Sequence, residues 1–514
     1  MGVHVVNIRN QIAWWILLGC GTLTFSNAQA PEIDVPRVWD GAALADWTVP
    51  LAGLNLRPTH ISEAQYYSLR VENLRTYPVY FPGREPQGYW EMLQHVGPKP
   101  LIEPEKLRTE AEWLEAGERV FDELDHLHMR TLDQKFIEMA RNRETYSASN
   151  VQPLPDGTVP GVRWVPTNRG VMLGFPNCAN CHRTIRQDGI RIPGAPAFAG
   201  APAGPVPLVL GVQFANHILP TASPFRMSDE PFGMWLFQAS SVPWLSDGTN
   251  ERLKTVTATE FRALIAAGAR GGSLPRWNGS PYYPAKIPDL IGVKDRKYFD
   301  ATATHLHRGI GDLMRYSAQV SFAETADFGP HHMLSTGTSR VEARVPDAAL
   351  FALAKYIYSL KPPRNPNPFN AEARAGQKIF EREGCTGCHT PPLFTNNKVT
   401  LAKGFARPDQ ATPGLEIVSV SVGTDPGLSL RTRKGTGYYK VPSLRGAWYR
   451  GHFLHDGSVA SLEEMFDPDR LQATHVPGGW FPPGSKTRAI MGHEFGLKLP
   501  PEERDQLIAY LKTL

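Results

Sequence analysis

The sequence predicts a mainly α, loop-rich protein in which two copies of one small domain follow an N-terminal extension. Three observations carry this expectation. The motif C-x-x-C-H occurs twice, as Cys178-Ala179-Asn180-Cys181-His182 and as Cys385-Thr386-Gly387-Cys388-His389. Each copy is followed, after a run of loops, by an amphipathic helix that closes its block. Gly and Pro number 46 each, above the usual share, which breaks the chain into turns rather than long helices.

The chain has 514 residues, enough for about three domains at roughly 150 residues each. With 41% apolar and 20% charged residues it has ample material for buried cores. Its net charge of +4, from 54 basic against 50 acidic side chains, is too small to suggest nucleic-acid binding by charge.

The N-terminus carries Arg9, the apolar run Ile12 to Leu18, and then small and polar residues up to Ala30. That is the layout of a secretory signal, too short to span a bilayer as a mature helix. Ser26-Asn27-Ala28 is the better cleavage site, giving a signal over 1–28. Leu17-Leu18-Gly19-Cys20 also resembles a lipobox, in which case the signal ends at 19 and Cys20 carries lipid. Both outcomes deliver a periplasmic or otherwise exported protein with no transmembrane span after cleavage.

Residues 29–165 contain no cysteine and read as an extension that caps the first repeat. Within them 109–141 reads as a helical stretch, with Trp113, Val120, Phe121, Leu124 and Leu127 at helical spacing. The first repeat occupies 166–361 and ends in a helix from Pro346 to Leu360, stopped by Pro362 and Pro363. The second occupies 362–514. An amphipathic helix, AEARAGQKIFEREG, leads straight into Cys385, and PPEERDQLIAYLKTL closes the chain. Helix, C-x-x-C-H, loops and terminal helix is the order of a class I cytochrome c-like domain.

In that motif both thiols form thioethers to the haem vinyl groups, and the adjacent imidazole is the proximal iron ligand. The cofactor-binding residues are therefore Cys178, Cys181 and His182 at one haem c, and Cys385, Cys388 and His389 at the other. A zinc site would want four converging ligands, and a disulfide would leave the histidine of both copies unexplained.

The sixth ligand decides what each iron can do. In Met491-Gly492-His493-Glu494-Phe495-Gly496, the loop before the last helix, His493 is the first choice for the second iron and Met491 the alternative. The block after His182 offers His217, His305, His307, His331 and His332, none favoured over the others, and the expectation is an accessible or weakly held sixth position. A further constellation runs from Tyr438 to Ser458. There Arg445 could hold a haem propionate and Trp448 could offer an aromatic step between porphyrins, while Asp456-Gly457 equally suits a packed bend.

The two motifs together with YYKVPSLRGAWYRGHFLHDGSVASLEEMF resemble the dihaem cytochrome c peroxidase superfamily, which includes the MauG proteins and the rubber oxygenases. The ending GHEFG-x-x-L-P-x-E-E-R-x-x-L-I-x-Y-L-K-T-L is most similar to the rubber-oxygenase-like branch, whose C-terminal haem has a histidine distal ligand. The resemblance covers roughly residues 165 to 514. It implies a relay haem held by His389 and His493, and a reactive haem on His182 that meets peroxide or oxygen. It also implies a small electron-donor protein or a quinol-linked donor, and a calcium ion between domains, for which the sequence shows no convincing ligand set. The extension departs from the compact peroxidases.

Three functions follow as expectations: a peroxidase-like oxidoreductase, an oxygenase acting on an organic substrate, and a plain electron carrier. Of the five cysteines, four are taken up as thioethers and Cys20 is removed or lipidated, so the mature chain is expected to hold no disulfide.

Overall fold

Two crossed helix pairs frame the protein. In the computed structural model α1 (Glu110–Glu123) packs on α2 (Asp347–Ser359), and α3 (Ala371–Arg382) packs on α4 (Pro501–Lys512). The structure describes residues 33–52, 57–125, 130–148, 153–174, 178–185, 190–197, 241–242, 244–274, 280–321, 326–327, 343–408 and 412–514. The signal-like segment 1–28 with Cys20, and Leu127, His217, His331 and His332, lie outside the described residues. Val35–Leu514 form one compact unit.

The sequence explains where these helices begin and which face they bury. Thr109 and Glu112 close a capping box on α1, each accepting from the other's backbone. Its buried face is Trp113, Ala116, Gly117, Val120 and Phe121, a helical stripe that meets Phe351 and Tyr356 of α2 edge-on and tilted. Asn370 caps α3, which buries Ala373, Gly376, Ile379 and Phe380. Pro501 takes the first position of α4, Glu502 and Glu503 face its positive end, and Leu507, Ile508, Tyr510 and Leu511 are buried.

Each crossing is set by one glycine. A Cβ at Gly117 would lie 2.0 Å from the Ala352 carbonyl oxygen, and one at Gly376 would lie 1.9 Å from that of Gln506. Backbone meets backbone there, which only a residue without a side chain permits. Both pairs are also tied by ions, Lys355 to Glu110 at 2.6 Å and Arg382 to Glu503 at 2.6 Å. These pairs are partly exposed, so the apolar faces carry the packing.

The helical stretch expected over 109–141 is two helices, because the chain leaves the helix at Leu124. Asp125 there accepts a bidentate pair from Arg130 at 2.8 and 2.7 Å, and Arg130 also reaches Glu72 at 2.6 Å. All three side chains are buried, so satisfying their charges outweighs continuing the helix. Asp133 then caps a second helix, Gln134–Arg141.

A three-stranded antiparallel sheet lies beside this region, ordered β1 (Tyr77–Tyr80), β2 (Thr158–Thr167), β3 (Gly170–Gly174). Strand β2 runs across position 165 and the sheet delivers the chain to Cys178. Further upstream Trp39 and Trp47 are fully buried, and Arg70–Val71 pairs in parallel with Ala343–Arg344 just before α2.

Gly376→Ala should force the α3–α4 crossing apart and lower stability by about 1–3 kcal/mol. The check is a urea midpoint followed by circular dichroism against wild type, with Gly384→Ala as a control for a glycine whose Cβ would meet nothing within 4 Å but whose positive φ carries a strain of its own.

Candidate haem sites

The C-terminal motif begins where α3 stops. Gly384 turns the chain with φ 73°, and a single tight turn, Cys385–Gly387, follows. The His389 amide donates to the Cys385 carbonyl at 2.8 Å, which sets the imidazole beside the two thiols. The ring is buried, and its Nδ1 lies 3.2 Å from the Phe394 carbonyl. A carbonyl only accepts, so Nδ1 carries the proton and Nε2 keeps its lone pair for a metal.

His493 lies across from it. The two ring centroids are 6.3 Å apart, tilted by 58°. Two metal–imidazole bonds of about 2 Å each, with the ring radii added, span that separation. Burial, with His389 nearby, holds the His493 imidazole down at about 4, so it is neutral and able to ligate. Met491, the alternative ligand, is 44% exposed.

His493 is held by a residue that the sequence reading did not single out. Arg470 is fully buried and spends its guanidinium on four carbonyls: Met465 at 2.9 Å, Ile490 at 2.6 Å, Gly492 at 3.0 Å and His493 at 2.8 Å. The His493 amide donates to Val422 at 2.6 Å. These bonds fix His493 at φ 48°, a left-handed conformation unusual for a residue with a side chain. Nothing in the local sequence Asp467-Pro468-Asp469-Arg470 marks this role.

The N-terminal motif is built alike. Cys178–Cys181 form one helical turn, and the His182 amide donates to the Cys178 carbonyl at 2.9 Å. His182 Nδ1 lies 3.0 Å from the Pro288 carbonyl, again leaving Nε2 for a metal. The motif sits on α1, where Arg183 pairs with Asp122 and lies over the Phe121 ring.

Burial pushes the Cys178 thiol up to about 12 and the Cys385 thiol up to about 11. Neither is the low-pKa thiolate of a nucleophilic or redox cysteine. Among the described residues no three His, Cys, Asp or Glu side chains converge as a zinc site needs. The residues therefore fit a covalently held haem at each motif.

The remaining candidates separate. His307 uses both nitrogens, Nδ1 with the Arg296 carbonyl at 2.8 Å and Nε2 with the Tyr358 hydroxyl at 2.6 Å, so it has no lone pair to spare for iron. His305 is buried between Trp47 and Tyr316, with Nδ1 on the Thr304 hydroxyl at 2.8 Å. Arg445 is at the surface, 3.6 Å from Asp295. Trp448 packs with Tyr449 against Ile192, Ala195, Ile291 and Leu360, on the loop that follows the first motif. Asp456-Gly457 forms a packed bend, in which a Cβ at Gly457 would lie 2.0 Å from the Gly271 carbonyl oxygen.

No protein-family model matches the chain. It is 29% identical over 163 residues to the cytochrome-c peroxidase IdrP1 of Denitromonas iodatirespirans, covering 28% of this chain and 40% of that protein. It is 25% identical over 150 residues to the methylamine utilization protein MauG of Methylorubrum extorquens, covering 28% of this chain and 35% of that protein. The chain thus spans less than half the length of either relative. A solved MauG-like protein associated with microbial copper homeostasis aligns at 18% identity over 58% of this chain and 91% of its own, with a TM-score of 0.27, too low to carry an argument. Both partial likenesses are thus to proteins of the cytochrome-c peroxidase and MauG type.

Substituting Arg470→Met should release the loop and convert the C-terminal haem from six-coordinate low-spin to partly high-spin, as His493→Ala should do fully. Electron paramagnetic resonance of the oxidised proteins reads both. A second expectation concerns acid. Burial, with Lys286 nearby, holds His452 down at about 4, while the unfolded chain takes up that proton near 6.5. Stability should therefore be full above pH 6.5 and fall as pH drops towards 4, by about 3 kcal/mol at most. Urea midpoints at pH 7 and pH 5 check this, and His452→Gln should flatten the slope.

Proposed function

We propose that the chain is an exported dihaem c-type cytochrome acting as a cytochrome c peroxidase-like oxidoreductase, with a relay haem at the C-terminal motif and a reactive haem at the N-terminal one. The observation that carries this reading is the opposed pair His389 and His493, placed beside Cys385 and Cys388 at a separation suited to one metal atom. Each haem, when bound, supplies an iron that gives or takes one electron.

The chain's own residues then do the rest. At the C-terminal site Cys385 and Cys388 would anchor the group, the Phe394 carbonyl orients His389, and Arg470 fixes the loop that carries His493, the two imidazoles being the residues that would hold the iron. At the N-terminal site Cys178 and Cys181 anchor and the Pro288 carbonyl orients His182. Trp448 and Tyr449 pack on Ile192 and Ala195, which follow the first motif, and on Ile291 and Leu360. Peroxide fits as the substrate of the reactive haem, as the name of the peroxidase relative suggests, with a small donor protein or a quinol-linked donor supplying electrons.

The two glycine crossings support a common plan for both haem domains, with α1 and α2 framing the first motif as α3 and α4 frame the second. On that plan the first haem domain begins at α1 rather than after residue 165. Export is proposed from the N-terminal run Ile12 to Leu18 and from the haem attachment itself. Among the described residues no helix is long and apolar enough to cross a membrane.

The decisive experiment combines the resonance spectrum of the oxidised protein with stopped-flow mixing of the half-reduced protein and hydrogen peroxide. One low-spin and one high-spin haem, with turnover in the presence of a small cytochrome donor, is the expected result. Two low-spin haems that bind neither cyanide nor carbon monoxide would leave a plain carrier. An oxygen-bound haem in the protein as isolated would favour the oxygenase.

A further inference from the structure

Between the two motifs lies a group of cations that the proposed function does not use. Lys286, Arg296, Lys440 and Arg450 lie deep in the protein, within electrostatic reach of one another, with Asp289 among them. Their hydrogen-bond partners are almost all backbone carbonyls. Lys286 Nζ donates to Gly451 at 3.2 Å, Lys440 Nζ to Tyr298 at 3.3 Å, Arg450 to Ser443 at 2.6 Å, and Arg296 to Ile291 at 2.9 Å and to Asp289. Among the described residues Asp289 stands 4.0 Å from Arg450 and already accepts the Tyr449 hydroxyl at 3.0 Å and the Ile291 amide at 3.0 Å, while Asp295, which acts on Arg296, lies 3.6 Å from Arg445. Asp300, the other acid that Lys440 senses, is paired with Lys434 at 2.7 Å.

Among the described residues the four cations have Asp289, Asp295 and Asp300 in electrostatic reach, and the last two are shared with Arg445 and Lys434, so positive charge is in excess where a charge taken out of water needs a counter-charge. Desolvation accordingly lowers both lysines to about 7 as they stand. Each of the four residues is nonetheless half-buried rather than fully enclosed.

The position of the group indicates what supplies the counter-charge. Asp289 follows Pro288, whose carbonyl orients His182. Arg450 acts electrostatically on His389, and its acceptor Ser443 bonds the Leu393 carbonyl next to Phe394, which orients His389. The group therefore touches the supports of both proximal imidazoles.

We infer that Lys286, Arg296, Lys440 and Arg450 line one shared receptor for carboxylates, filled by propionate side chains of the haems at the two motifs. The inference rests on the reading of both motifs as covalent haem sites. Haem c carries two propionates, so two haems bring enough negative charge to match the excess. Covalent attachment also presents those carboxylates at an effective concentration that no free anion matches. A cation beside a propionate raises the potential of its haem by offsetting negative charge, so the receptor would couple the two redox centres through one set of side chains.

The test uses the full-length haem-loaded protein with Lys286→Met and Lys440→Met made separately, so that loss of one variant to misfolding leaves the other to decide. Pyridine haemochrome counts the haems, and spectroelectrochemical titration reads the midpoint potentials. Both haems should be retained, at least one potential should fall in each variant, and Lys286→Arg should bring it back towards wild type. Excess acetate or phosphate should leave the wild-type potentials unmoved. Unchanged potentials in both methionine variants overturn the inference, as does an anion-dependent shift in wild type that vanishes in Lys286→Met, which would mark a site for free anions. Failure of the underlying reading looks different, as no haemochrome signal from the wild-type protein.

Discussion

The C-terminal site depends on two imidazoles, tilted by 58°, being held opposite each other at a separation suited to one metal atom. Neither histidine could keep that position by its own backbone. His389 is fixed from behind by the Phe394 carbonyl. His493, strained at φ 48°, is held by the Val422 carbonyl at its amide and by Arg470 at its own carbonyl. A loop carrying a histidine in a left-handed conformation is costly, and a fully buried guanidinium with four carbonyl acceptors offsets that cost. The hydrogen bonds of Arg470 are satisfied by backbone, so its charge is spread over the loop that it immobilises.

The loop needs a rigid base, which the helix crossings supply. Close approach at Gly376 lets α3 and α4 bury one continuous apolar core with Val459, Leu462, Met465, Phe466 and Ile490. Arg470 takes its first carbonyl from Met465 and its second from Ile490, both members of that core. Packing at the crossing is thereby connected to ligand placement through one side chain. The same crossing recurs at Gly117, close to the first motif, where Arg183 lies over Phe121 of α1.

Much of this was legible in the sequence, and the boundary of legibility has a physical cause. C-x-x-C-H is a local motif, and the helices around it carry caps and periodic apolar residues, so their existence and ends could be read. The preference for His493 over Met491 rests on the place of both in the loop before the last helix and on the family resemblance of the ending. What could not be read depends on groups far apart in the chain. Arg470 meets a loop about twenty residues on, Gly376 meets Gln506, and Asp125 leaves the helix for Arg130 and Glu72. A glycine in a helix, or an arginine after Asp-Pro-Asp, has no pattern of its own that announces such a partner.

Charge shows the same limit most clearly. A net +4 over 514 residues is too small to suggest a polyanion-binding protein by charge, and it is uninformative about the interior. Yet Lys286, Arg296, Lys440 and Arg450 form one linked group of buried cations, drawn together from positions as far apart as 286 and 450. The average over the chain hides this because surface pairs such as Arg382 with Glu503 cancel elsewhere. What matters to a redox centre is the charge within a few ångströms in a low-dielectric interior, where an unbalanced ion acts far more strongly than at the surface. A chain that is nearly neutral overall can therefore hold a strongly positive interior basin, and the group that balances it belongs to the folded protein as much as any side chain does.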